Sequence, residues 1–133
     1  MAGFTLHLQD ATQYERIEGV TSFVGEDASG QFGLLPGAER FMTMLELGLA
    51  RFRSGAEAPW RFVAVSGGLV YFVDGALYLS TSHFVLGDDP RALADELEAI
   101  QEAEEAQVQA FRKSLHQMEE EMFRRLWRLR RGA

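Results

Sequence analysis

Between Phe4 and Gln9 the chain alternates without a break, with Phe4, Leu6 and Leu8 on one side and Thr5, His7 and Gln9 on the other. A period of two marks a strand with one buried face. Apolar runs at residues 20–24, 41–45, 49–53, 60–65 and 69–73 predict further strands, and 54–59 (Ser-Gly-Ala-Glu-Ala-Pro) reads as a loop between two of them. The firmest local expectation lies at 70–79, where Asp74-Gly75 separates two apolar alternating runs. Both residues tolerate positive φ, which predicts a type I′ hairpin. After Leu93 the period changes. Leu93, Leu97, Ile100, Val108, Phe111, Leu115, Met118, Met122, Leu126 and Leu129 recur at steps of three or four, apart from a gap that Glu104 fills. Such spacing draws one apolar stripe along a helix.

Turn formers divide the chain at the same place. Twelve of the 13 glycines and all 3 prolines lie at or before Pro90, and none occurs from Arg91 to Arg131. Short strands at roughly eight- to twelve-residue spacing with glycine turns point to a β-sandwich or barrel. The expected architecture is β + α: an N-terminal antiparallel β-sandwich over 1–88, followed by a C-terminal helical arm over 89–133. Asp88 or Asp89 suits the helix N-cap and Pro90 its first position. The stretch 101–107 (Gln-Glu-Ala-Glu-Glu-Ala-Gln) holds no large apolar residue and fits either a solvated waist in one long helix or the bend of a helical hairpin. The stripe resumes in phase with no turn former between, which favours continuity and an arm of about 60 Å.

At 133 residues and 47% hydrophobic composition, the chain suits one foldable domain with an appendage. Without cysteine it can form no disulfide and hold no thiolate metal site or cysteine nucleophile. The start Met-Ala-Gly-Phe-Thr-Leu lacks the basic-then-apolar pattern of a signal peptide, and no run approaches the ~20 apolar residues of a membrane span. A soluble chain is expected. The net charge of −7 argues against general nucleic-acid binding, but it is unevenly spread. Residues 1–90 hold 5 Arg and 11 acids, 91–110 hold 1 Arg and 6 acids, and 111–133 hold 7 bases and 3 acids. An acidic start and basic end complement the helix dipole; they also aim a basic tip at an acidic partner. Membrane contact and nucleic-acid contact by that tip are weaker readings than packing against a protein.

Candidate chemistry is sparse. Gly30-Gln31-Phe32-Gly33-Leu34-Leu35-Pro36-Gly37 lacks the Lys-Ser/Thr ending of a phosphate loop, so it reads as a bulge and turn, with Pro36-Gly37 a type II turn. Val65-Ser66-Gly67-Gly68 is no nucleophile elbow and reads as a turn. His7, His83 and His116 lie far apart, outside any metal-ligand spacing, and the first two suit solvent-facing strand positions. Glu26-Asp27 and Asp88-Asp89 are acidic pairs that solvate loops. No catalytic residue, metal site or cofactor is expected.

Taken in order, Gly-x-x-Gly-Leu-Leu-Pro-Gly at 30–37, Val-Ser-Gly-Gly at 65–68 with the hairpin after it, and the acid-rich start of a C-terminal helix resemble the epsilon subunit of F-type ATP synthases. The resemblance covers nearly the whole chain. It implies a non-catalytic rotor protein of the central stalk, whose sandwich links the gamma subunit to the ring of c subunits. It also implies C-terminal helices able to reach the alpha/beta catalytic hexamer and restrain ATP hydrolysis. The place implied is the cytoplasmic face of the bacterial inner membrane, held peripherally within the complex.

Carried over residue by residue, the resemblance places Glu26, Asp27, Ser29, Gln31 and Phe32 on the ring-facing loop, with Gln31 where an acidic residue is common. It places Ala38, Thr43 and Ser66 on the gamma-facing side, with Ala38 where His is usual. Arg124, Arg125, Arg128, Arg130 and Arg131 fall on the inhibitory arm. The segment Gly87-Asp88-Asp89-Pro90-Arg91-Ala92 partly matches an ATP-sensing pattern, leaving Asp88 and Arg91 as weak nucleotide candidates. These departures point to a divergent branch, the alternate and sometimes sodium-linked rotary ATPases of bacteria. The rival reading is a free-standing β-domain adaptor with a coiled-coil arm in an unrelated complex.

Overall fold

The computed structural model describes residues 3–132, with side chains up to Arg130. Among the described residues eight strands precede one helix: β1 (Phe4–Gln9), β2 (Tyr14–Val20), β3 (Ser22–Asp27), β4 (Gly30–Leu34), β5 (Phe41–Arg53), β6 (Arg61–Val73), β7 (Ala76–Ser80), β8 (Phe84–Gly87) and α1 (Pro90–Gly132). The hydrogen-bonded order is β2-β1-β7-β6-β5-β3-β4, with β8 joined to β6. Every pair is antiparallel except β1 with β7, which is parallel.

The alternation at the start of the chain becomes β1 itself, with Phe4, Leu6 and Leu8 buried. Two predicted pairs of short strands fuse into the thirteen-residue strands β5 and β6. Residues 65–68 are therefore no turn. They are a kink inside β6, where Gly67 takes φ +96 and a Cβ on Gly68 would lie 2.5 Å from the Ser80 carbonyl oxygen. Before the kink β6 pairs with β8 (Val63 opposite Leu86), and after it with β7 (Phe72 opposite Leu77). Strand β5 follows β6 along its whole length and pairs with β3 only near its end. One ribbon thus serves two layers, the way sandwich corners are commonly made. Between them lie Phe4, Leu6, Phe23, Phe52, Val63, Phe72, Leu77 and Phe84, all buried.

Two further expectations change. Gly30–Leu34 is not a bulge; it is β4, paired with β3 along its full length. Only Pro36-Gly37 behaves as predicted, with Gly37 at φ +82 and the Ala38 amide bonded to the Leu35 carbonyl at 3.1 Å. Strand β2 carries no clean alternation because it is mostly exposed and bulged, with Gly19 at φ +71. The Asp74-Gly75 hairpin has both residues at positive φ, 49° and 74°, as a type I′ turn requires. His7 does lie on β1 but half-buried, while His83 falls in the connection before β8.

Helix α1 runs unbroken through 101–107, so the waist is no hairpin bend. Asp89 caps it, accepting the Arg91 amide at 3.0 Å on its carboxylate. Leu93 and Leu97 are buried against Ala64, with Phe62 and Val85 beside them. Gly87 leaves the room this needs, since a Cβ there would meet Leu93 at 3.2 Å. The chain accordingly divides into compact units between Glu98 and Ala99.

Asp10 is a buried acid at the end of β1. Burial by itself raises its pKa, but the Gln13 side-chain amide and the backbone N–H groups of Thr12, Phe84 and Gln13 outweigh this and hold the carboxyl well below the usual carboxylate range. The Gln13 amide also donates to the Phe84 carbonyl at 2.8 Å, so this cluster ties the end of β1 to the start of β8. Asp10→Ala leaves the buried Phe84 N–H without its acceptor and should cost about 2 kcal/mol in urea unfolding at neutral pH. A depressed native pKa gives stability that is full above the ordinary carboxylate range and lost progressively as pH falls from that range through the lowered native value. The stability gap between wild type and Asp10→Asn should therefore shrink below about pH 4. An unchanged gap would show that the charge contributes nothing.

Candidate docking surfaces

The tip of the β3–β4 hairpin is Ala28-Ser29, between the paired residues Asp27 and Gly30. The Asp27 carboxylate accepts the Ser29 amide at 2.9 Å and the Ser29 hydroxyl at 2.5 Å. Its other oxygen accepts the Thr43 hydroxyl from β5 at 2.7 Å. The Ser29 hydroxyl, and after it the Thr43 hydroxyl, hold the Asp27 carboxyl below the usual range. Glu26 and Gln31 are exposed opposite one another, but the Phe32 ring is half-buried, 5.2 Å from Phe41 and 6.4 Å from Phe23. Phe32 anchors the hairpin, while its polar neighbours face outward. Gly25 permits this, because a Cβ there would meet Leu45 at 2.8 Å and the Phe32 ring at 3.0 Å.

Thr43, read as gamma-facing, is thus hydrogen-bonded to Asp27, read as ring-facing. Ala38 and Ser66 have other neighbours. Ala38 packs partly buried against the core, and the Ser66 hydroxyl meets that of Ser82 at the β6 kink. Asp88 lies 3.9 Å from Arg61 in an exposed ion pair, and Arg91 contributes its backbone amide to the Asp89 cap. Among the described residues no group of acids and histidines could hold a metal ion.

One surface was not anticipated. Met42, Tyr71, Tyr78 and His7 are direct cross-strand neighbours in a row over β5, β6, β7 and β1. Met44 and Leu69 form the start of the next row. Met42 and Met44 are each 61% exposed and Tyr78 43%. The His7 ring stacks on Tyr78 at 4.7 Å between centroids, its Nδ1 meets the Tyr14 hydroxyl, and Arg40 lies 5.7 Å over Tyr71. Single solvent-facing apolar residues are ordinary, whereas a contiguous row is a mark of docking. The clue in the sequence was Phe-Met-Thr-Met-Leu at 41–45, apolar on both phases of the strand. Layers need apolar residues on one face only.

Along the arm, Phe111 is 64% and Leu129 72% exposed. Arg124, Arg128 and Arg130 are exposed, and Arg125 bonds to Glu121 at 2.9 Å. The side chain of Arg131 lies outside the described residues. No helix among the described residues is long and apolar enough to cross a membrane.

Residues 5–85 match the family described as ATP synthase, Delta/Epsilon chain, beta-sandwich domain. A protein named ATP synthase epsilon chain 2 from Cereibacter sphaeroides is 48% identical over 60 residues, 45% of this chain and 40% of the relative. One of the same name from Paraburkholderia xenovorans is 34% identical over 82 residues, 61% of this chain and 58% of the relative. The chain thus spans about half the length of the curated relatives it matches. In solved structures, similar folds occur in the central stalk/c-ring of the Tetrahymena thermophila mitochondrial ATP synthase (TM-score 0.52, 10% identity, 61% of this chain and 64% of that chain). They occur also in the Euglena gracilis mitochondrial ATP synthase (TM-score 0.59, 22% identity, 76% of this chain and 65% of that chain). At these identities the likeness is one of fold.

The Asp27 geometry is open to direct test. Asp27→Ala should speed hydrogen exchange at the Ser29 amide about tenfold, with β1 and β6 amides unchanged. Equal protection in variant and wild type would mean that the hairpin tip is held by its backbone alone.

Proposed function

This chain belongs to the delta/epsilon chain family of ATP synthases, and from that premise we propose that it is a non-catalytic rotor subunit of the central stalk in a bacterial F-type enzyme. The observation that carries the reading is the solvent-facing row from Met42 through Tyr71 and Tyr78 to His7, exposed at Met42 and Tyr78 and half-buried at Tyr71 and His7, which suits a long apolar seam such as that of the coiled-coil gamma subunit. Thr43 lies within β5 and Ser66 within β6, two of the strands that carry the row, and Ala38 follows the turn leading into β5. The polar hairpin tip, with Glu26, Asp27, Ser29 and Gln31 braced by Phe32, suits the loops of a c-subunit ring. Asp27 and Thr43 couple the two surfaces through one hydrogen bond, so torque received by the hairpin passes into β5 without a flexible joint. The protein works as a mechanical link at the cytoplasmic face of the inner membrane, peripheral to the bilayer and with no cofactor.

The arm is read as a brake on hydrolysis. Its stripe ends among Arg124, Arg125, Arg128, Arg130 and Arg131, a pattern suited to an apolar cleft with an acidic rim in the alpha/beta hexamer. Charge-assisted pairs in such a cleft are stronger than the same pairs in water.

Two experiments test these assignments. Met42→Glu with Met44→Glu should abolish co-purification with gamma, while a charge at Gly33 or Phe32 should release the c ring; retention of both partners would overturn the docking assignment. Truncation after Phe111 should leave assembly intact yet raise steady-state ATP hydrolysis of the whole complex, and replacing the five arginines with alanine should give much of the same rise. Unchanged hydrolysis in both would make the arm a strut.

A further inference from the structure

All described side chains from Gln101 to Arg130 are exposed. Long helices in proteins are stabilised chiefly by packing an amphipathic face, since propensity alone leaves an isolated helix marginal in water. Within this stretch the stripe has coiled-coil spacing. Val108, Leu115, Met122 and Leu129 stand seven residues apart, with Phe111 and Met118 at the intervening fourth positions. Arg125 holds the next such position.

Charge selects the orientation. Residues 101–110 carry Glu102, Glu104 and Glu105 and no base, whereas 121–130 carry Glu121 against Arg124, Arg125, Arg128 and Arg130. Parallel pairing would set acids beside acids, bases beside bases, and Arg125 against its own copy in the seam. Antiparallel pairing sets each acidic stretch beside a basic one. We propose that two copies of this chain, when outside a larger complex, pair through their arms as an antiparallel coiled coil.

The register follows from the seam. Leu115 of one copy packs beside Met118 of the other, twice about the centre, with Phe111 beside Met122 in the next layers. Outward from these lies Val108 against the aliphatic stem of Arg125. The same register brings Glu119 beside Arg112 of the second copy, at two symmetric places. Neither residue has an ion-pair partner within its own chain among the described residues. Pairing would cover the stripe that the preceding reading sends into the catalytic hexamer, so assembly and self-association would compete for one surface.

The test uses the full chain in analytical ultracentrifugation at micromolar concentration. A dimer is expected at low salt. Leu115→Glu should give a monomer. Arg112→Glu should weaken the dimer about tenfold, since two pairs turn repulsive, and adding Glu119→Arg should restore it. The native chain has no cysteine, so engineered crosslinks are clean. Arg112→Cys with Glu119→Cys should form interchain disulfides, whereas Leu115→Cys alone should not. A monomer at tens of micromolar, failure of the charge swap to restore pairing, or efficient crosslinking by Leu115→Cys alone would each overturn the proposal.

Discussion

Everything in the sandwich depends on one bend in one strand. Strand β6 must leave β8 and join β7 while keeping its partner β5, and it does so at Gly67-Gly68. Gly67 sits at a φ that side chains with a Cβ seldom adopt, its carbonyl accepts the Thr81 hydroxyl, and Gly68 lies against the Ser80 backbone. With both glycines in place, the β5–β6 ribbon turns the corner and closes Phe52, Val63 and Phe72 between the layers. Without that bend β6 could not serve both partners, and the layers would lose the ribbon they share.

Closure has a consequence for the surface. A sandwich uses one phase of each strand for its core, so apolar residues on the other phase stay in water unless something covers them. Met42, Met44, Leu69 and Tyr78 are in that position. The hairpin tip is built on another principle, with polar side chains held by Asp27 and the whole projection seated on Phe32. An apolar row and a polar tip present different chemistries, and the proposed link between two bodies rests on that difference. The arm adds a third surface of mixed character, with an apolar seam between charges that change sign along its length.

Much of this was legible in the chain itself. The period of two gave β1, Asp74-Gly75 gave its hairpin, Pro36-Gly37 gave its turn, and the loss of glycine and proline after Pro90 gave the helix. Those features rest on local backbone preference and side-chain alternation, which act within a few residues. The family resemblance also lay in local motifs, because tight turns demand particular residues at particular spacings. Strand β2 escaped notice because an exposed, bulged edge strand needs no alternation, and β4 because its glycines resemble a loop until β3 is beside it.

What the sequence alone determined, then, was strand β1, the turns at Pro36-Gly37 and Asp74-Gly75, and the boundary between strand and helix, since these follow from periodicity and turn chemistry. Tertiary structure alone decided that Gly67-Gly68 is a kink and not a turn, because that depends on which strand lies alongside. It alone brought Asp27 to Thr43, sixteen residues away, and Asp10 to Phe84, seventy-four residues away. It alone lined up Met42, Tyr71, Tyr78 and His7 from four strands. A one-dimensional pattern records which way each side chain points along its own strand; only register between strands makes neighbours of them.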